Sequence, residues 1–311
     1  MRCSPKGAPV IYDRRMATET PGSEALGTLA DALRRAERAL DAAGVDTPRS
    51  DAEWIAAHVV RGTRTDVVAH SERSLSDDER RQFEDLLQRR VHREPLGYVL
   101  GTVAFRGLEL EVGAGCLVPR PETEIVADRA VARARSLGRR ATVVDVGTGC
   151  GPIALAIAAE VPDARVFATE KSGAARGWCL RNLARTGLRV TLLPGDLFEP
   201  LHPALGGAVD VVVSNPPYVR EDEYEGLPDE VRRFEPREAL VAGPEGLDAV
   251  MRILEEVPRW LAIGGWLVLE VAEDQAEKVA RLVEMIGYTD PIVTNDLAGR
   301  PRVVEARWIA C

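Results

Sequence analysis

Thr142-Val143-Val144-Asp145-Val146-Gly147-Thr148-Gly149-Cys150-Gly151-Pro152 is the stretch whose reading decides the fold. A valine-rich strand runs into a turn filled by three alternate glycines, and Pro152 opens the helix Ile153-Ala154-Leu155-Ala156-Ile157. Glycine is needed where the backbone takes unusual angles and a ligand must lie directly against it with no Cβ between. The spacing Gly-x-Gly-x-Gly is not the Gly-x-Gly-x-x-Gly of dinucleotide sites, and no Gly-x-x-x-x-Gly-Lys-Ser/Thr occurs, so phosphate-bearing cofactors lose ground. S-adenosylmethionine has no phosphate to cradle. Its ammonium and sulfonium suit a loop with Asp145 nearby and few basic residues.

Downstream, apolar strand-like runs alternate with helical segments: Arg165–Thr169, Arg189–Leu193, Val209–Val213 and Trp266–Val271. Such a pattern predicts a parallel sheet covered on both faces, a doubly wound α/β domain. A terminal pair, Ile292–Asn295 and Arg302–Trp308, adds an antiparallel hairpin edge. Glu170 ends the second strand about twenty residues after the glycines, where an acidic side chain accepts both ribose hydroxyls of a nucleoside cofactor; the plainer reading is a solvated strand-end carboxylate. Asp196 ends the third strand as an acceptor for an adenine amino group, with Leu197 packing on the ring; the plainer reading of Asp196 is a helix cap.

Val211-Val212-Val213-Ser214 delivers the chain to Asn215-Pro216-Pro217-Tyr218, again at a carboxyl strand end, where open α/β sheets hold their ligands. Two prolines make a rigid turn. A planar amide or exocyclic amine is a poor nucleophile because its lone pair is delocalised. The Asn215 side chain and the Pro216 carbonyl are acceptors that can take both N–H groups, aim the lone pair and stabilise positive charge growing on nitrogen. Tyr218 offers an aromatic face to cover the planar group. Methyl transfer to a planar nitrogen is the expected chemistry, with Asn215, Pro216 and Tyr218 acting on the reacting group and Asn215 to Tyr218 binding it.

Upstream, Ser23 to about Glu94 is helical. Leu26, Leu29, Leu33 and Leu40 recur at helical spacing, Gly44 ends that helix, and capping boxes are expected at Ser50 with Glu53 and at Ser76 with Glu79. Between Leu96 and Val118, β-like runs Tyr98–Phe105 and Leu108–Val112 flank Arg106-Gly107 and predict a hairpin linker. Pro119-Arg120-Pro121-Glu122-Thr123-Glu124 then leads into a helix ending near Gly138. Residues 1–23 read as a disordered tail, within which Met16 is an alternative start.

Among 311 residues, 49 acidic against 40 basic side chains give a net charge of −9, which opposes phosphate-driven binding and argues against a broad nucleic-acid footprint. Five cysteines, odd in number and never in a Cys-x-x-Cys pair, suggest neither a disulfide framework nor zinc and fit a reducing cytoplasm; no metal is expected. No run of eighteen apolar residues occurs, so no membrane span is expected.

The order Asp145-x-Gly-Thr-Gly-x-Gly, Glu170, Asp196 and Asn-Pro-Pro-Tyr resembles a class I S-adenosylmethionine-dependent methyltransferase. Three flanking segments narrow the resemblance to the HemK/PrmC family: Glu94–Gly101, Leu117–Glu124 and Phe234–Leu240. It covers about residues 24 to 308. It implies a helical substrate-docking domain over residues 24–95, a hairpin linker over 96–118, and a Rossmann-like methyltransferase domain with a seven-stranded sheet over 119–311. It further implies that Gly147, Thr148, Gly149, Cys150, Gly151, Glu170 and Asn215 bind S-adenosylmethionine, where the strand-end reading adds Asp145, Asp196 and Leu197. Asn215, Pro216, Pro217 and Tyr218 would bind the glutamine of the Gly-Gly-Gln loop in peptide-chain release factors, whose N5 is methylated. Arg120–Glu124 should lie near the cofactor mouth. Glu170 stands where aspartate is usual and Leu197 where an aromatic ring would cover adenine. A ribosomal-protein glutamine or an adenine N6 amine poses the same chemical problem, but the acidic charge disfavours nucleic acid. Trp178 is expected to pack rather than bind.

Overall fold

The computed structural model describes residues 27–309; the expected tail over residues 1–23 lies outside them. The chain begins with helices α1 (Leu29–Ala42), α2 (Pro48–Val60), α3 (Arg64–Ala69), α4 (Asp77–Val91) and α5 (Leu96–Leu100), followed by a hairpin of β1 (Thr102–Phe105) and β2 (Leu108–Glu111). Leu29, Leu33 and Leu40 of α1 pack with Ile55, Phe83 and Leu87 in one core. Thr28 with Asp31 and Ser76 with Glu79 cap α1 and α4 reciprocally.

Two expectations for this region need correction. α2 begins at Pro48, so Ser50 lies inside the helix and forms no capping box. Proline is pre-organised for the first helical position. Glu53 instead accepts from Arg49 at 2.6 Å and Arg64 at 2.6 Å. The hairpin is also shorter than residues 96–118, because Leu96–Leu100 is helical. Arg89 of α4 donates to the Tyr98 and Val99 carbonyls at 2.9 and 3.1 Å, satisfying acceptors that a strand would have paired laterally.

The remainder comprises α6 (Thr123–Ser136), β3 (Thr142–Val146), α7 (Pro152–Glu160), β4 (Arg165–Glu170), α8 (Gly173–Thr186), β5 (Val190–Pro194), β6 (Val209–Ser214), α9 (Asp229–Phe234), α10 (Asp248–Glu256), β7 (Leu261–Glu270), α11 (Ala276–Ile286), β8 (Tyr288–Asn295) and β9 (Pro301–Trp308). The last seven strands form one sheet ordered β5-β4-β3-β6-β7-β9-β8. β3 to β7 pair in parallel, and β9 runs antiparallel to both β7 and β8. β3 and β6 are buried at every residue, with separate apolar cores on the two faces of the sheet.

The chain builds outward from β3 in one direction through β4 and β5, and in the other through β6 and β7. The switch point therefore lies between β3 and β6, and a crevice opens at their carboxyl ends. Residues Asp145 and Val213 are register partners there. The glycine turn and Asn215–Tyr218 are 64 residues apart in sequence yet neighbours at that edge, tied by the Ser214 hydroxyl donating to the Val146 carbonyl at 2.7 Å.

Candidate active site

A cleft of about 1100 Å³ sits at the switch point, lined by the glycine turn, Glu170, Leu197, Ile253 and Asn215–Pro217. Gly147, Gly149 and Gly151 take φ values of 70°, 62° and 96°, the left-handed region that L side chains rarely adopt. A Cβ on Gly147 would meet nothing within 4 Å, whereas one on Gly151 would press on the Cys179 sulfur at 3.0 Å. Gly147 thus keeps its backbone bare toward open space, and Gly151 permits close packing beneath. Both Gly147 and Thr148 donate backbone N–H groups to the Thr169 carbonyl at 2.9 Å, which pins the turn against β4.

Asp145 does not line this cleft; its carboxylate is 1% exposed and accepts from the Thr148 hydroxyl at 2.6 Å and the Ala154 amide at 3.0 Å. Its Oδ1, also buried, has no hydrogen-bond partner among the described residues. Asp145 closes the loop from below, bracing turn and helix together. Burial pushes it up to about 7, against the Thr148 and Ala154 hydrogen bonds, and the Glu170 charge raises it further. The Cys150 thiol is buried beside Cys116 and Cys179, and burial pushes the Cys179 thiol up to about 12.

Glu170 does line the cleft. Its two oxygens accept from the Gly149 amide at 2.9 Å and the Ser172 amide at 2.7 Å, and each keeps a second lone pair for a ligand hydroxyl. Asp196 is engaged by Arg252 at 2.7 Å, with Lys171 4.0 Å away, so its acceptor capacity is shared with two cations. Leu197 takes a φ of 43° and lines the cleft. Trp178 packs on Gly113 and donates to the Ala114 carbonyl at 3.2 Å, a structural role as expected.

A second cleft of about 600 Å³ adjoins the first and shares Leu117, Asn215, Pro216 and Pro217 with it, adding Arg120, Tyr218 and Val231. The turn thus forms the wall common to both. Asn215 Nδ2 donates to the Thr123 hydroxyl at 3.1 Å. Among the described residues no group hydrogen-bonds its Oδ1. The Tyr218 N–H donates to the Leu240 carbonyl at 3.1 Å, and the Tyr218 carbonyl accepts from Gln275 at 3.0 Å. Its hydroxyl donates to Glu270 at 3.2 Å, and burial, reinforced by the Glu270 charge, pushes the phenol well above its ordinary value.

Two of the segments that carried the resemblance line this second cleft, through Leu117, Arg120, Ala239 and Leu240, and the third reaches them where Tyr98 packs with Val118 and Phe234. The Tyr98 hydroxyl donates to the Cys116 carbonyl. Arg120 donates to Glu235 at 2.6 Å, and the Val118 amide donates to the same carboxylate at 3.3 Å. Burial raises Glu235 from the ordinary carboxylate value, with Arg120 opposing it. Sequence reading placed residues 120–124 near the mouth but did not single out Thr123 or Glu270. Glu270 ends its strand as Glu170 does, and that shared position was the available signal.

Two family profiles match the chain: the PrmC N-terminal domain over residues 31–101 and the methyltransferase small domain over residues 129–227. The chain is 42% identical over 287 residues to the release factor glutamine methyltransferase of Mycolicibacterium smegmatis, covering 91% of this chain and 98% of that protein. Identity to the enzyme of that name from Geobacter sulfurreducens is 39% over 264 residues, covering 85% and 91% of the two chains. The hMettl16 catalytic domain, solved with an RNA hairpin, superposes with a TM-score of 0.52 at 16% identity, covering 72% of this chain and 82% of that one, and shows the fold alone. Likeness along nearly the whole length of such relatives, together with both domain matches, establishes that this chain belongs to the release factor glutamine methyltransferase family.

Proposed function

We propose that the protein methylates the N5 amide nitrogen of the glutamine in the Gly-Gly-Gln loop of peptide-chain release factors, using S-adenosylmethionine, in the cytoplasm and without sequence-specific nucleic-acid binding. The observation that carries this reading is the wall shared by the two clefts: Asn215–Pro217 stands between a glycine-walled cleft and a separate, partly apolar one.

The first cleft fits the cofactor on its own terms. Its glycine backbone is bare toward open space, and Glu170 has lone pairs to spare for ribose hydroxyls. Gly147, Gly149, Glu170 and Leu197 would hold the group, with Asp145 and Thr148 fixing the turn from beneath. When bound, S-adenosylmethionine supplies an electrophilic methyl group on its sulfonium.

Asn215 has its Nδ2 occupied and its Oδ1 free, so it presents an acceptor for one N–H of the substrate amide. The Pro216 carbonyl, which no described residue hydrogen-bonds, accepts the other. Two acceptors on one planar NH₂ orient the nitrogen and stabilise the cation that develops as it is methylated. Pro216 and Pro217 keep the geometry rigid, and the Tyr218 ring flanks the site while Glu270 anchors its hydroxyl. No strong base is needed, because the proton leaves after the nitrogen has become cationic.

Incubation with radiolabelled S-adenosylmethionine tests the reading. A release factor should be labelled and one with its Gly-Gly-Gln glutamine replaced should not. Asn215→Ala should lower turnover by roughly 10²–10³ while cofactor affinity stays within about tenfold. Labelling of DNA or RNA in place of the factor, or full activity in Asn215→Ala, would overturn it.

A further inference from the structure

Arg120 is a cation that the reaction as described leaves idle. It stands between Pro119 and Pro121, and a residue that precedes proline is held extended. Its carbonyl accepts from the Thr123 amide at 3.1 Å, where α6 begins. One corner of its guanidinium is fixed as well. Nη2 donates at 2.6 Å to Glu235, whose side chain is fully buried and also accepts from the Val118 amide at 3.3 Å. Backbone and head group are thus both held, while the side chain stays 31% exposed and lines the second cleft.

A guanidinium carries five N–H groups in a rigid fork. Glu235 is the one partner of this fork among the described residues, so donors remain. The other side-chain donors on the cleft wall are spent, Asn215 Nδ2 on Thr123 and the Tyr218 hydroxyl on Glu270. The amides of Tyr218 and Val219 go to the Leu240 carbonyl, those of Leu227, Val231, Ala239 and Leu240 close their own turns, and prolines have none. No carboxylate among the described residues lines the cleft to compete for the free hydrogens.

A Gly-Gly-Gln loop brings the opposite need. Its glycines have no side chains, so the main chain is all the polar surface they offer, and a carbonyl drawn from water into a partly apolar cleft requires a donor. The glutamine side-chain carbonyl is the wrong acceptor for a cation. Positive charge beside that oxygen would draw the nitrogen lone pair further into the amide and slow its attack on the methyl group. A main-chain carbonyl is insulated from the reacting nitrogen by the saturated part of the side chain. We propose that Arg120 is a substrate-binding residue that donates to a main-chain carbonyl beside the reacting glutamine. The inference rests on the reading of the second cleft as the seat of the Gly-Gly-Gln loop. Such a bond is the same before and during methyl transfer, so it acts on affinity and not on the rate of the bound complex.

The test is peptide binding to the full-length protein saturated with S-adenosylhomocysteine, the cofactor without its methyl group, so that no turnover intervenes. A Gly-Gly-Gln peptide and analogues in which one peptide bond at a time is an ester, whose carbonyl is a weaker acceptor, are titrated by NMR. The variant is Arg120→Met with Glu235→Gln, which leaves no buried carboxylate without its cation. It should bind the parent peptide about tenfold more weakly, with S-adenosylhomocysteine affinity unchanged. At least one ester should weaken binding to the unsubstituted protein several-fold and make no difference to the variant. A cleft that had merely loosened would keep the full ester penalty, and that result overturns the proposal, as does undiminished binding by the variant or no peptide binding by the unsubstituted protein. A peptide that binds with the expected pattern yet is not methylated when S-adenosylmethionine is supplied supports the Arg120 contact and counts against the functional reading alone.

Discussion

Glu170 and Glu270 end strands at the same edge of one sheet, yet their surroundings differ. Glu170 collects two backbone N–H groups, whereas Glu270 has a single phenol on one oxygen and nothing on the other. A carboxylate held this sparsely in the interior is costly when ionised. Its folded value stands near 7 against an ordinary 4.5, so its protonated form favours the folded state. The corresponding stability is fully present below about pH 4.5 and is lost as pH rises through 7. Glu270→Gln, which cannot ionise, should thus gain on the unsubstituted protein as pH rises, by up to about 3 kcal/mol between pH 4.5 and 8. Urea unfolding of both proteins across that range measures it, and a difference independent of pH would refute the sparse solvation of Glu270. At this scale the sequence made the cleft-lining residues legible, because glycines, strand-end acids and paired prolines leave local signatures. The inward orientation of Asp145 was not legible, because a residue beside a ligand loop can face either way and the Thr148 and Ala154 donors that hold it exist only once the loop has folded.

Helices and strands hold the site through contacts that cross long stretches of chain. Asn182 on α8 is fully buried; its Oδ1 accepts from the Glu111 amide at 2.6 Å, and its Nδ2 donates to the carbonyls of Glu111 at 3.0 Å and Cys150 at 2.9 Å. One side chain thereby fastens the hairpin to the glycine turn. Asn182→Ala leaves three backbone groups without those partners and should cost about 3 kcal/mol of stability, with a several-fold loss of cofactor affinity as the turn loosens. Denaturant unfolding and calorimetry read the two effects, and an unchanged affinity in a destabilised variant would separate Asn182 from the loop. Nothing in the local sequence of α8 announces this, since its partners lie 71 and 32 residues away. The hairpin turn itself was legible: Arg106 and Gly107 take φ values of 46° and 75°, both left-handed, which matches the twist of the flanking strands. The helix α5 was not, because Tyr98 and Val99 read as strand formers until Arg89 caps their carbonyls.

The molecule as a whole couples its helical part to the second cleft through a largely buried cluster of charges. Arg90 donates to Asp51 within the helices at 2.7 Å and to Glu230 of α9 at 3.3 Å, and Arg93 also pairs with Glu230. The α9 segment runs on to Glu235, which holds Arg120 beside the second cleft. Position of the helices and shape of the cleft are therefore linked through a six-residue helix. A glutamine side chain alone offers too little surface for selection, so we propose that the helices dock the folded partner while the cleft takes the loop. Glu230→Gln keeps the shape but removes the charge that two arginines share, and loosening that joint should affect a folded substrate more than a short one. The expected outcome is a several-fold rise in KM for intact release factor, with kcat on a short Gly-Gly-Gln peptide little changed. Equal losses on both substrates would mean that the cluster supports only the cleft, and no loss on either would detach the helices from substrate choice. The joint was invisible in the sequence, where Arg90 and Glu230 are 140 residues apart and each reads as an ordinary charged position on a helix face. Only folding brings them together, and at 5% side-chain exposure Arg90 is too deeply buried for water to replace a lost partner.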